Sequence, residues 1–516
     1  MLLEVFKNRF SSICEEMGVT LTRTAFSSNI KERRDLSCAV FSSQAEMIAQ
    51  AAHIPVHLGS MPLSVQAAIQ EVDMREGDMV MLNDPFQGGT HLPDITLVAP
   101  VFAGGEGPLF YVANRAHHSD IGGVAPGSMP LSTSIYQEGM IVPASRIVSR
   151  GKVQEDVLGL ILANVRTPQE RRGDFSAQIM ANHTGIKRLK ELMDKYGPGE
   201  VEAYGEALMD YASSMMQEAI SGIRDGEYSF TDYLEDDGQG NSNLPISLTL
   251  AVDGDSARLD FTASADQVPG CVNAVRAITL SCVLYVFRCL LDQEVPANSG
   301  CLRPIRVDTR PGSMLDALHP AAVAGGNVET AQRIVDVVLG ALARAVPEKI
   351  PAASQGTMNN LAVGGMEPQA GRAFTYYETL AGGMGASEQG DGESAVHSHM
   401  TNTLNTPVEA LEHGYPLRIH AYSVRRDSGG KGVYTGGDGV IRELEVLAPC
   451  EVTVLSERRV VGPYGLLGGL PGKIGENQVR LQGKWHERPG KFREELAPGD
   501  RLLLKTPGGG GYLSSR

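Results

Sequence analysis

The chain has 516 residues, 42% hydrophobic and 21% charged, the composition of an ordinary soluble globular protein. Single cores stop growing near about 250 to 300 residues, so this length predicts about three domains. With a net charge of −16, a pI near 5.3 and no Lys/Arg-rich run, the sequence offers no basic face for nucleic acid or an anionic membrane. Seven cysteines (Cys14, Cys38, Cys271, Cys282, Cys289, Cys301 and Cys450) are an odd number without a CxxC pair, the usage of a reducing compartment. Residues 1–10 lack the apolar stretch of a signal peptide, and the longest apolar segment, 277–291, is too short to span a bilayer and holds Arg288. The sequence predicts a cytoplasmic protein.

Residues 2–24 carry Leu3, Phe6, Phe10, Ile13, Met17 and Leu21 at helical spacing. Residues 36–41 read as a strand with Asp35 at its start. Arg33 and Arg34 would hold that carboxylate ionised, or the three form a solvated charge cluster. Residues 53–72 are a loop entering a helix, with Ser60 as a cap, Pro62 in the first turn, and His53 and His57 beside the entry. Next come two apolar runs, 95–102 and 109–112, joined by a Gly-rich turn at 103–107, a hairpin pattern. His91 and Asp94 precede the first run; His117, His118 and Asp120 follow the second. An antiparallel pairing brings both flanks to one end of one sheet. Imidazoles and carboxylates together suit Zn²⁺, Mn²⁺ or Fe²⁺, with an open position for water if the site is catalytic. Capping of strand ends by loop polar residues is the other reading.

Residues 136–148 look like a strand or short helix edge, with Glu138 as an isolated acid. Helices are predicted over 155–165, 168–196 and 200–223, and strands over 228–234, 246–252 and 257–261. Apolar helices follow at 271–291 and 329–345. The loop 380–407 is long, polar and Gly-rich; with His397, His399 and Asn402 it is either a mobile or partner-facing loop or a substrate contact. Short strands recur at 439–447, 451–455, 478–481 and 501–505. The Gly loops 462–472 and 506–513 match no phosphate loop, and there is no dinucleotide fingerprint or GxSxG elbow. Paired glycines throughout suggest turns at positive φ. The expected fold class is α+β, multi-lobed, with mixed sheets. A metal-binding lobe would cover 1–225, a middle α+β region 226–415 and a β-rich unit 416–516.

The chain resembles the hydantoinase B/oxoprolinase family. The resemblance rests on SSNIKERRDLSCAVF (27–41), HIPVHLGSM (53–61), NDPFQGGTHLPDITLVAPVF (83–102), ANRAHHSDIGGVAPGSMP (113–130) and IYQEGMIVPASRI (135–147). It continues in AGGNVET (324–330), GGDGVIRELEVL (436–447), SERRVVGPYGLLGG (456–469) and KTPGGGGY (505–512). It implies the second subunit, or second half, of an ATP-dependent enzyme whose hydantoinase A-type partner has an actin-like ATPase fold and binds the ATP. Some such pairs open cyclic amides, such as N-methylhydantoin, 5-oxoproline or lactams; others carboxylate ketones. The resemblance implies one divalent metal (Mn, Zn or Fe) per chain, held by Asp35, His91, Asp94 and His118, with His117 as the alternative imidazole. Asp94, His117 and Asp120 are the implied catalytic residues, Asp120 by orienting a histidine ligand. The expected function is hydrolysis, in a hetero-oligomer, of a carbonyl-phosphorylated cyclic amide made by the partner. A ketone carboxylase subunit and a non-catalytic assembly subunit are the alternatives.

Overall fold

The computed structural model describes residues 2–51, 53–105, 107–291, 295–367 and 371–514. Residue 106, within the predicted 103–107 turn, lies outside them. The fold is α+β, with four sheets and nine α-helices among the described residues.

The first sheet has seven strands: β1 (Leu36–Ser42), β2 (Met47–Gln50), β3 (Met79–Leu82), β4 (Asp94–Val101), β5 (Phe110–His117), β6 (Ser145–Ser149) and β7 (Lys152–Val153). They lie in the order β2-β1-β5-β4-β3-β6-β7. Helices α1 (Leu2–Thr24), α2 (Ser28–Lys31), α3 (Met61–Glu71), α4 (Glu155–Leu162), α5 (Pro168–Tyr196) and α6 (Pro198–Ser221) accompany it. The long helices α1 and α5 cover one face and α3 the other. Along β4, Ile95, Leu97, Ala99 and Val101 join the core under α1 and α5, while Val98 joins the core under α3. Burial on both faces explains why these strands read as continuous apolar runs rather than alternating ones.

Strand β5 is longer than its predicted run of 109–112, because the polar residues Asn114 and Arg115 are buried with partners from elsewhere. Asn114 Nδ2 donates to Gln178 O and to Asn182 Oδ1, both 2.8 Å away on α5. Arg115 donates to Thr96, Ser60 and Ser64 hydroxyls at 2.6–2.8 Å. The Ser60 hydroxyl therefore does not cap α3; it accepts from Arg115 and donates back to the preceding turn.

Strands β8 (Gly226–Asp236), β9 (Ser242–Asp253), β10 (Ser256–Asp260) and β11 (Ile305–Asp308) form the second sheet, in the order β11-β10-β9-β8. Helices α7 (Arg276–Arg288) and α8 (Ala331–Ala345) pack against each other, and α8 lies on β8 and β9. Residues 326–330, predicted as helix start and loop, form a π-helical turn leading into α8. A Cβ on Gly326 would come within 1.8 Å of the Asn273 carbonyl, so the absent side chain lets this turn approach.

The remaining strands are β12 (Asn360–Glu367), β13 (Arg372–Glu378), β14 (Leu417–Arg425), β15 (Gly439–Val446), β16 (Cys450–Leu455), β17 (Glu476–Leu481), β18 (Lys484–Arg488), β19 (Lys491–Leu496) and β20 (Arg501–Lys505), with α9 (Val408–Gly414) before β14. They make sheets ordered β13-β12-β16-β19 and β14-β15-β20-β17-β18, which share one core through Leu361, Val363 and Tyr376 on one side and Val440, Leu444 and Leu502 on the other. Strands from either side of residue 415 thus pair in the third sheet.

Candidate metal centre

The β4–β5 register sets the site. Asp94, the first residue of β4, stands opposite His117, the last of β5. The turn 91–94, closed by the Asp94 N–H donating to His91 O at 3.1 Å, returns His91 over the same sheet end. The ligand atoms of His91, Asp94 and His117 lie within 4.8 Å of one another, and all three residues are buried.

The hydrogen bonds around the carboxylate divide its two oxygens. Oδ2 accepts from Thr90 Oγ1 at 2.7 Å and from Asn327 Nδ2 at 3.3 Å, and lies 3.4 Å from His57 Nε2. His57 Nδ1 is 2.9 Å from Ser37 Oγ, so the proton on Nε2 faces the carboxylate and Nδ1 accepts from the serine. Oδ1 has no hydrogen-bond partner. His91 Nδ1 lies 3.4 Å from Ala324 O and is the protonated nitrogen, which leaves the Nε2 lone pair without a partner, 3.3 Å from Asp94 Oδ2. His117 Nδ1 lies 3.3 Å from Oδ1, and its Nε2 also lacks a partner. A lone pair aimed at a carboxylate in a buried setting is repulsive, and a shared cation removes the repulsion. The donor set thus fits a divalent ion of the Zn²⁺, Mn²⁺ or Fe²⁺ type.

Burial opposes the Asp94 charge, and positive charge placed among His91, His57 and His117 holds its carboxyl well below the usual range. Burial lowers the His117 imidazole, against the pull of Asp94, and so favours the neutral ligand form. His117 stacks on Tyr377, with ring centroids 4.6 Å apart. Glu138 and Glu329 border the site from further out. Burial pushes each up to about 7, and each keeps one carboxylate oxygen without a partner. Glu138 accepts from the Val323 and Ala324 N–H groups, fixing the segment whose carbonyl holds His91.

The other sequence candidates are placed as follows. Asp35 reaches the wall of a cavity of about 20 Å³ that Asp94, His57 and His117 also line, but stands outside the three-residue cluster. Arg33 is not a solvated charge: it is fully buried, donates to Thr379, and lies 3.9 Å from Asp35. His118, expected as a ligand ahead of His117, points to the opposite face of the sheet, because consecutive side chains of an extended chain alternate. There its Nε2 meets Gln178 Oε1 at 3.0 Å and its ring packs on Phe175. Asp120, expected to orient a ligand, instead pairs with Arg166 through the side chain and the backbone N–H, both at 2.7 Å. The loop 380–407 is irregular but well packed: Met400, Thr401 and Thr403 line the small cavity, His397 bonds Asn405, and Asn402 bonds the His53 carbonyl.

Sequence reasoning missed the work of His57, Asn327 and Tyr377. The HIPVH and AGGNVET motifs contained the first two, without any signal of what they face.

A family model for hydantoinase B/oxoprolinase matches residues 1–514. The 5-oxoprolinase 1 of Arabidopsis thaliana is 40% identical over 543 residues, covering 99% of this chain and 42% of its own length. The chain spans about two fifths of the length of several curated relatives, but 90% of a Methanocaldococcus jannaschii protein that is also 40% identical. Among solved structures, an ATP-dependent caprolactamase from Pseudomonas jessenii superposes with a TM-score of 0.90 at 29% identity, covering 99% of this chain and 91% of the other. An acetone carboxylase shares the fold at the same TM-score with 18% identity, covering 99% of this chain and 76% of that one. The motif resemblance and these matches agree, and the chain belongs to the hydantoinase B/oxoprolinase family.

Proposed function

We propose that this chain is the hydrolytic subunit of an ATP-dependent cyclic amidohydrolase, opening hydantoin, 5-oxoproline or lactam rings together with an ATPase partner. The observation that carries this reading is the set of three orphaned ligand atoms at one sheet end: Asp94 Oδ1, His91 Nε2 and His117 Nε2. Support for a partner comes from the lengths. The chain corresponds to 42% of a full 5-oxoprolinase and carries no phosphate loop, so ATP would be handled by the other part.

An amide carbonyl resists attack because of its resonance. Transfer of the ATP γ-phosphoryl group to the carbonyl oxygen, with loss of the ring N–H proton, gives an imidate phosphate and ADP. Water adds to the imidate carbon, and the C–N bond breaks as the nitrogen is protonated. The acyl phosphate that remains takes a second water to give carboxylate and phosphate. His91, Asp94 and His117 would hold a divalent ion, whose Lewis acidity lowers the pKa of water toward about 7. Thr90, Asn327 and the Ser37–His57 pair orient the Asp94 carboxylate so that Oδ1 is the oxygen offered. Asp35, on the cavity wall outside the ligand cluster, would accept the proton released by water.

The test is the chain reconstituted with its ATPase partner and a panel of cyclic amides, with ATP. Asp94→Ala should abolish stoichiometric metal and lower ring opening by about a thousandfold or more. Ring opening at the wild-type rate in that variant would sink the reading. Turnover triggered by ketones with bicarbonate, and not by cyclic amides, would instead assign the chain to the carboxylase branch.

A further inference from the structure

All three candidate ligands are met by one short segment, residues 324–330, which includes the π-helical turn before α8. Ala324 O lies 3.4 Å from His91 Nδ1, and Asn327 Nδ2 donates to Asp94 Oδ2 at 3.3 Å. His117 is reached indirectly. Its ring stacks on Tyr377 with an interplanar angle of 14°. The Tyr377 hydroxyl donates to Asn360 Oδ1 at 2.7 Å, and Asn360 Nδ2 donates to Glu329 Oε1 at 2.9 Å. Asn360 Nδ2 also donates to Leu455 O at 3.3 Å, and the Met358 N–H donates to the same Glu329 oxygen at 3.1 Å. Two acceptors on one side of the Asn360 amide fix which way it points, and so where the tyrosine hydroxyl is held. Glu329, Asn360 and Tyr377 are all buried.

The segment is itself held from behind. The Gly325 and Gly326 N–H groups donate to Cys271 O at 2.8 and 3.2 Å, and the Thr330 hydroxyl donates to Val272 O. Glu138 accepts from residues 323 and 324. A π-helical turn interrupts the regular helix ladder and recurs mainly at functional sites. An imidazole free to rotate loses that freedom when it binds an ion, whereas a stacked ring has lost it already, so the ion is held more tightly.

We infer that residues 324–330 are a clamp that sets the geometry of the metal ligands, with Glu329 as a positioning residue for His117 that acts through Asn360 and Tyr377. The inference rests on the metal centre of the proposed reading and adds what holds its ligands in place; it does not depend on which ring is opened.

The experiment uses the full chain without ATP or substrate. Zn²⁺ affinity is measured by competition with a chelator, and ligand geometry by the visible spectrum of the Co²⁺-loaded chain. Tyr377→Phe keeps the stacked ring and removes one hydrogen bond; it should weaken Zn²⁺ binding about tenfold or more and shift the Co²⁺ bands. Glu329→Leu should do the same, whereas Glu329→Gln, which keeps an acceptor, should stay within about threefold of wild type. The double variant of Tyr377→Phe with Glu329→Leu should bind about as weakly as the weaker single one, because both break one chain of contacts; additive losses would overturn the relay. Should Glu329→Leu fail to fold, Tyr377→Phe decides. If the wild-type chain holds one ion and Tyr377→Phe matches it in affinity and Co²⁺ spectrum, the clamp falls and the amidohydrolase reading stands. Lower stability with an unchanged Co²⁺ spectrum would also overturn it, leaving these residues a merely structural role. If both variants weaken the ion as expected but the reconstituted complex opens no cyclic amide, that reading falls and the clamp stands. A wild-type chain that binds neither ion overturns both.

Discussion

At the sheet end a single carboxylate is shared among five neighbours, and its geometry separates an occupied oxygen from a free one. Oδ2 of Asp94 is occupied by Thr90, Asn327 and His57, which leaves Oδ1 and two imidazole nitrogens for an ion. His117→Ala should therefore weaken metal binding by about a hundredfold or more, whereas His118→Gln should retain one ion per chain, as read by elemental analysis after dialysis. Loss of the ion in His118→Gln alone would reverse the assignment of the two histidines. A second residue-scale expectation concerns His397, which is partly buried against Asn405, its imidazole lowered to about 4 by desolvation. A folded-state pKa below the unfolded value of about 6.5 means that the unfolded chain binds the proton more readily. Its contribution is thus fully present above about pH 6.5 and is lost as pH falls toward 4, on the order of 3 kcal/mol over that window. Denaturant titrations should show a shallower acid-side loss for His397→Asn than for wild type; equal slopes would remove His397 as the cause.

The Gly-rich loops are the element-scale feature that departs most from expectation. Paired glycines suggested positive φ, and Gly88, Gly122, Gly123 and Gly468 do adopt it. Gly429, Gly430, Gly436, Gly437 and Gly508 to Gly511 do not; they are required for space. The loops around residues 383, 430, 437, 470 and 509 interlock backbone to backbone: Gly430 N–H donates to Gly509 O, Gly509 N–H to Gly437 O, and Gly437 N–H to Met384 O, at 2.8–2.9 Å. A Cβ on Gly436 would fall 2.0 Å from the Gly509 carbonyl oxygen, a rigid atom. Gly436→Ala should destabilise the C-terminal region by about 3 kcal/mol or more, visible as a lower Tm. An unchanged Tm would show that the loops can separate without loss.

Across the whole molecule, one core runs from Phe6 through Ile95 and Leu250 to Ile334, so the first two predicted lobes, 1–225 and 226–415, share their interior. A buried ion cluster then ties the second sheet and α8 to the C-terminal sheets. Arg458 Nη2 donates to Asp232 at 2.7 Å and also pairs with Asp336, while Arg333 and Lys491 pair with Glu457. Removing one member leaves buried charge uncompensated, so Arg458→Ala should cost about 3 to 5 kcal/mol in chemical denaturation. A loss below about 1 kcal/mol would mean that the cluster does not couple these layers. We propose that the lobes unfold together for the same reason. The chain purified by itself should turn over no ATP, checked by phosphate release, because it carries no recognisable nucleotide loop.

The β4–β5 hairpin and the gathering of His91 and Asp94 with the His117-His118 pair at its open end were legible in the chain, because strand periodicity and antiparallel pairing are local rules. So was the helical stripe of α1 that covers the sheet. The extension of β5 through Asn114 and Arg115 was not, since its polar residues gain partners from α5 and from Ser60 and Ser64, far away in sequence. Nor was the choice between His117 and His118, because which of two adjacent side chains faces the cavity depends on the strand's register against its neighbours. Asn327 and Tyr377 reach the site from elements some two hundred residues or more beyond Asp94, through packing that no spacing encodes. Sequence thus determined which chemistry is present and on which hairpin; tertiary packing decided which atoms lose their hydrogen-bond partners, and so which ones are left to bind.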